Sequence, residues 1–229
     1  MNIISGTRTK VLLAALVIVA TGSAFGYWSA VEQERQERRN DVLWLVQDTG
    51  LRLRAALASE PPAVFSNEEV LRSLYDHAVA VDGHLGKLRN MELSGIGNLA
   101  DAAEDYILTG REILLRRASS QRYRVRVADD LQRLRSHMRA DNRSGMWITE
   151  AVRAKERVEE DYRDYRIAST ALGTLLQSFP VAQAKIAPHV EVALLIDDHI
   201  VNEAHQRVTV AALETRRELD RYANLNTYR

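Results

Sequence analysis

The chain contains no cysteine. That excludes disulfides, thiol chemistry, thiolate metal ligands and a lipid anchor on an N-terminal cysteine. Proline is scarce, at four residues, and glycine little commoner, at eleven, so few positions interrupt a helix. Neither sign of charge prevails. Lys plus Arg and Asp plus Glu both number 31, leaving no net field to draw in nucleic acid and no sustained basic face to hold it. There is no Gly-rich phosphate loop, nucleophile elbow or metalloprotease helix. Nothing therefore argues for an enzyme, and no cofactor is implied.

The long hydrophobic run lies at the N-terminus. A basic leader, residues 1–10 with Arg8 and Lys10, precedes Val11–Ala30, which carries no charged side chain. A helix of that length rises about 30 Å, the thickness of a bilayer's hydrocarbon core. Tyr27 and Trp28 then stand where an aromatic belt would meet the far headgroups. The expected organisation is a cytoplasmic leader (1–10), a transmembrane signal-anchor helix (11–30) and an extracytoplasmic helical domain (31–229). That would make the protein a single-pass protein of the bacterial inner membrane with its domain in the periplasm. A cleaved signal peptide is the alternative, because Val11–Ala20 matches an h-region and Gly22-Ser23-Ala24 offers a small-x-small site. The apolar run continues past that site to Trp28, which favours the anchor. In either case the rest of the chain crosses the membrane. A buried core helix of a soluble domain is the third option.

Beyond Val31 lie about 200 residues, enough for one elongated domain or two small ones. The fold class is all-α. Apolar positions recur at alternating steps of three and four, the mark of helices packing along a seam. The first soluble helix carries Leu43, Val46, Gly50, Leu53 and Leu57 and stops at Pro61-Pro62. Ser66 and Glu69 then form a capping box for a second helix with Leu71, Leu74, Ala78, Val81, Leu85 and Leu88, closed by the turn Ser94–Asn98. The third segment runs from near Leu99 to Met138. Its Tyr123–Val127 stretch alternates with a strand period, but no second alternating run exists to pair with it, so a continuous helix is expected. Asp141–Gly145 is a turn. The fourth helix carries Val158, Tyr162, Tyr165, Ser169, Leu172, Leu176 and Phe179 and is expected to end at Pro180, with a second break at Pro188. A last helix is expected from about Val190 towards Leu219. Long helices joined by short turns lie antiparallel, and with the anchor these make six helical segments forming one or two up-and-down bundles.

The stretch YRIASTALGTLLQSFP, Tyr165 to Pro180, resembles a motif of the DAHL family, the double all-helical ligand-binding domains of bacterial sensor proteins. Tyr165, Arg166, Leu172, Leu176, Phe179 and Pro180 match it in type and spacing, while Ser169, Gly173 and Thr174 stand where the family prefers Asn, Arg and Asn. Upstream, DVLWLVQDTGLRLRAALASEPP resembles the family's opening helix. The resemblance spans most of Asp41 to about Glu214. It implies a periplasmic sensor module of a histidine kinase or diguanylate cyclase lying between two membrane helices, of which this sequence shows the first.

Among polar residues, Ser169 interrupts an otherwise apolar seam, and a buried hydroxyl there must bond to the backbone a turn back, to another polar group or to a ligand. Tyr162 and Tyr165 could wall a small pocket beside it, so Tyr162, Tyr165 and Ser169 are the expected ligand-binding residues. The arginines from Arg111 to Arg126 could cradle an anion or form a solvated, acid-paired face, and the solvated face is the simpler expectation. Among six histidines, His77 and His84 lie too far apart to share an ion. His199 and Glu203 form a metal half-site of the kind that charged helices produce by chance, so no metal is expected. The functional expectation is signal reception: a small molecule or protein perceived outside, transmitted by helix displacement through the anchor, with a homodimer as the assembly. An anchored structural or adaptor bundle is the alternative, followed by a soluble periplasmic binding or chaperone-like protein.

Overall fold

The computed structural model describes residues 4–58, 67–139, 146–191 and 194–223, with side chains from residue 27 onward. Five α-helices follow one another: α1 (Ile4–Leu57), α2 (Asn67–Asn90), α3 (Gly97–Arg139), α4 (Trp147–Ile186) and α5 (Asp198–Asp220). Among the described residues there is no strand. The alternating Tyr123–Val127 stretch lies inside α3. Pro61-Pro62, Ser66 and the Asp141–Gly145 turn lie outside the described residues.

The expected anchor and the first soluble helix are one element, since α1 runs unbroken for 54 residues. Among the described residues no helix is long and apolar enough to cross a membrane; the side chains of 11–26, most of the expected span, lie outside them.

Contacts fix the direction of each helix. Lys185 pairs with Asp105, Ser169 with Ser120 and Trp147 with the His137 carbonyl, so α3 and α4 run antiparallel. Arg89–Glu104 and Arg111–Asp82 do the same for α2 and α3. Gly50 of α1 faces Tyr106 of α3, and Gly110 of α3 faces Leu53, so these two run parallel. Tyr162 reaches the Ala212 carbonyl and Gln177 reaches His205, which makes α5 antiparallel to α4. Direction therefore alternates along the chain.

Two cores result. The larger joins α1, α2, the first half of α3 and the second half of α4, with Leu53, Val81, Tyr106, Ile113, Leu172 and Phe179 inside and the start of α5 against it. The smaller joins the second half of α3, the first half of α4 and the end of α5 around Leu134, Val158, Tyr165 and Leu219. Helices α3 and α4, 43 and 40 residues long, pass through both and rise about 60 Å. Below the larger core α1 emerges, exposed from Tyr27 to Asp41 except at half-buried Arg38. Arg35 Nε donates to the Gly95 carbonyl at 3.0 Å, and Arg38 Nη1 lies 3.3 Å from Glu92, holding α1 against the α2–α3 turn as it leaves. Gly95 has φ +81°, a conformation that glycine adopts without strain.

Two helix boundaries differ from expectation. Pro180 lies within α4, which continues to Ile186. The proline is exposed, while Phe179, Ala182 and Ile186 stay buried, so packing carries the helix past a missing amide that the sequence takes as a stop. Termination comes at Pro188, in the 3-10 turn Ala187–His189. The last helix starts at Asp198 rather than near Val190. Asp197 is its cap, with an extended backbone and a carboxylate accepting from the His199 amide at 2.8 Å. Just before it, the buried Gln183 side chain donates to the Ile196 carbonyl at 2.8 Å and accepts from the Ile196 amide at 3.1 Å. One side-chain amide thus replaces the backbone partners that a helix would supply to Ile196, just before the extended cap residue Asp197.

Candidate functional site

Ser169 of α4 and Ser120 of α3 meet between the two cores, midway along the antiparallel pair. Their hydroxyl oxygens lie 3.0 Å apart, both buried. The polar break in the seam is therefore answered by a second one on the facing helix. Tyr165, one turn earlier, is 1% exposed. Burial raises its phenol pKa, and a hydrogen bond with Ser169 works the other way. Tyr162 packs edge-on to Tyr165, with centroids 6.4 Å apart, and its hydroxyl donates to the Ala212 carbonyl at 3.3 Å. It belongs to the smaller core and braces α5.

A cavity of about 60 Å³ opens beside Tyr165 and Ser120, between α2, α3, α4 and α5. Leu74, Leu172 and Val208 supply apolar wall; Arg117, Ser120, Gln121, Arg124, Tyr165 and Arg207 supply polar groups, and no carboxylate lines it. Of the three expected ligand residues, Tyr165 faces the cavity directly. Ser169 stands behind it, bonded to Ser120, and Tyr162 is not among the lining residues.

The arginine run divides. Arg111 pairs with Asp82 at 2.6 Å and Arg116 lies 4.0 Å from Glu112; Arg126 sits over the Tyr123 ring at 5.8 Å. Arg117 and Arg124, two helical turns apart on one face, turn towards the cavity. That spacing is legible in the sequence. Arg207 is not, because only the tertiary fold brings α5 opposite that face. Its Nη1 lies 3.6 Å from Glu203, and its Nη2 donates to the carbonyl of Leu57, the last residue of α1.

A second buried polar cluster lies between α1 and α2. His84, 5% exposed, has Nδ1 3.0 Å from Thr49 Oγ1 and Nε2 3.1 Å from Asp48, whose carboxylate also takes Arg52 Nε at 2.6 Å. Burial lowers the His84 pKa, with Arg52 and Lys87 adding to the effect and Asp48 opposing it. His77 is also lowered, first by burial and then by Arg52. His199 Nδ1 lies 3.6 Å from Glu203 as an exposed pair, and among the described residues no group of three or more His, Asp or Glu is placed to hold a metal ion.

Comparison with known protein families, with curated proteins and with solved structures finds no match for this chain.

Proposed function

We propose that this chain is the membrane-anchored extracytoplasmic sensor module of a bacterial signal-transduction protein of the histidine kinase or diguanylate cyclase kind. It receives a small ligand in the cavity beside Tyr165 and Ser169 and works as a homodimer. The observation that carries the proposal is the continuity of α1. One helix extends from the charge-free segment 11–30 into the larger core, where Leu45, Val46, Leu53 and Leu57 are buried. A continuous helix whose far end is packed in a core passes a displacement along its axis, because close-packed interfaces shift between discrete arrangements rather than deforming smoothly. From Arg35, held at Gly95, to Trp28 the helix rises only about 10 Å, which would seat the base of the bundle near the headgroups. Helix α5 runs in the same direction as α1. A second membrane span, as the resemblance to DAHL modules implies, would follow a further helix returning along the bundle.

Fractionation of the full-length chain tests the anchor. The protein should stay in the membrane through a high-salt wash and keep its N-terminus, and protease added to the periplasmic side should digest the bundle. A mature N-terminus at Phe25 by mass spectrometry would refute the anchor and leave a soluble periplasmic bundle.

A further inference from the structure

We propose that the cavity between α2, α3, α4 and α5 binds a compact oxyanion of phosphate or sulfate size, and that the anion draws Arg207 away from the end of α1. The proposal deepens the sensor reading and rests on it for the route of the signal; the ligand class rests on the cavity alone. In a chain of zero net charge, Arg117, Arg124 and Arg207 line one small, half-open space whose own walls carry no carboxylate; Glu203, 3.6 Å from Arg207, lies with Glu214 in the adjoining groove that Arg124 and Arg207 also line. Cations gathered at a partly desolvated site repel one another, and an anion between them reverses that repulsion. Guanidinium forks match oxyanion geometry. The other polar walls, the hydroxyls of Ser120 and Tyr165 and the amide of Gln121, can each donate a hydrogen bond to an anionic oxygen. Size restricts the choice. With roughly 10–15 Å³ of such space per water molecule, about 60 Å³ holds about four to six waters, or one tetrahedral ion of five heavy atoms. The rest of a nucleotide or sugar phosphate would have to lie in the adjoining groove, whose Glu203 and Glu214 disfavour an anionic ligand.

The coupling lies in Arg207. The same guanidinium that lines the cavity donates to the Leu57 carbonyl and approaches Glu203. An anion in the cavity offers it a charged acceptor, stronger than a backbone carbonyl. Occupancy thus competes with the contact that ties α5 to the last residue of α1, the helix that continues to the membrane segment.

The test is calorimetric titration of the full-length chain in detergent with inorganic phosphate, sulfate and malonate, and with glycerol as a neutral control. Phosphate or sulfate should bind at one site and glycerol should not; malonate separates a tetrahedral preference from a preference for any dianion. Arg124→Gln, at an exposed position that can change without harm to the core, should weaken binding by tenfold or more. Arg207→Gln should weaken it as much and raise amide exchange in the last turn of α1 without ligand, as phosphate does in the parent. If none of the anions binds up to about 10 mM, far above a millimolar dissociation constant, the ligand class is overturned. A neutral metabolite whose binding is lost in Tyr165→Phe would then still support the sensor reading. If an anion binds but Arg124→Gln and Arg207→Gln both bind it like the parent, the cavity is the wrong place and the proposal fails. Anion binding without any change in exchange at the end of α1 overturns the coupling and keeps the ligand class.

Discussion

His84 on α2 approaches Asp48 on α1 at 3.1 Å, yet its pKa lies below the ordinary imidazole value, burial of the ring being the first cause. The hydrogen bonds suit the neutral ring as well. Nε2–H can donate to Asp48 while Nδ1 accepts from Thr49 Oγ1 at 3.0 Å, so the neutral ring already satisfies both neighbours. Asp48 is in turn engaged by Arg52 at 2.6 Å, which weakens its pull on a proton, and desolvation opposes the charged ring.

A pH dependence with a definite sign follows for the α1–α2 seam. Both His84 and His77 have folded pKa values below the ordinary 6.5, so between the folded value and 6.5 the unfolded chain binds more protons. Stability is then fully present above about pH 6.5 and is lost as pH falls towards the folded values. Melting temperature should drop on going from about pH 7.5 to pH 5.5. His84→Gln, whose amide can donate to Asp48 and accept from Thr49 without titrating, should make that drop smaller. An unchanged drop would mean that His77 or carboxylates, rather than His84, govern the acid response.

Glycines separate close helix contacts from open helix surface. A Cβ on Gly110 would lie 2.8 Å from Leu53 Cδ1 and 3.2 Å from Thr49 Cγ2, in the heart of the larger core. Gly110→Ala should cost about 1–3 kcal/mol by overpacking. Gly83 and Gly86, on the exposed face of α2, would meet nothing within 4 Å. Ala at either should stabilise by about 0.5–1 kcal/mol. Chemical denaturation distinguishes the two, and a stabilising Gly110→Ala would mean that α1 and α3 can part at no cost.

Leu172, Leu176 and Phe179 are each at most 1% exposed. Leu172→Ala or Leu176→Ala should cost about 2–5 kcal/mol, against about 0.5 kcal/mol or less for the exposed control Arg153→Ala. Equal losses at the two kinds of site would contradict the packing of α4.

This seam shows what the sequence makes legible. Val158, Tyr162, Tyr165, Ser169, Leu172, Leu176 and Phe179 recur at helical spacing and all are buried, because amphipathic periodicity is a property of one helix and needs no knowledge of its neighbours. Gly95 likewise marks its turn by itself. Pro180 misleads because the local cost of a missing amide says nothing about the buried side chains on either side that hold the helix together. The start of α5 was hidden for a related reason: Gln183 and Ile196 meet only after α4 has formed. At the site, the seven-residue spacing of Arg117 and Arg124 was present in the sequence, whereas Arg207, Ser120 facing Ser169, and Asp48 facing His84 depend on which helices become neighbours.

The pairing of Ser120 with Ser169 changes what substitution there should do. From the seam alone, Ser169→Leu completes an apolar stripe and firms the fold. With a hydroxyl 3.0 Å away on α3, a leucine has no room, so the helices must separate at a cost of about 1–3 kcal/mol. Ser169→Ala instead leaves the Ser120 hydroxyl without its partner, at a cost of about 1 kcal/mol, softened where that hydroxyl turns to its own helix backbone or to the cavity it lines. Changing both serines to alanine removes the stranded Ser120 hydroxyl and should recover that part of the loss, while the part due to Tyr165, which loses its hydrogen bond with Ser169 in both variants, remains. A double-mutant cycle by urea denaturation therefore should return a favourable coupling of about 0.5–1.5 kcal/mol between positions 120 and 169. Strictly additive losses would show that the two hydroxyls do not depend on each other, and the packing of α3 on α4 at this level would then rest on apolar burial alone.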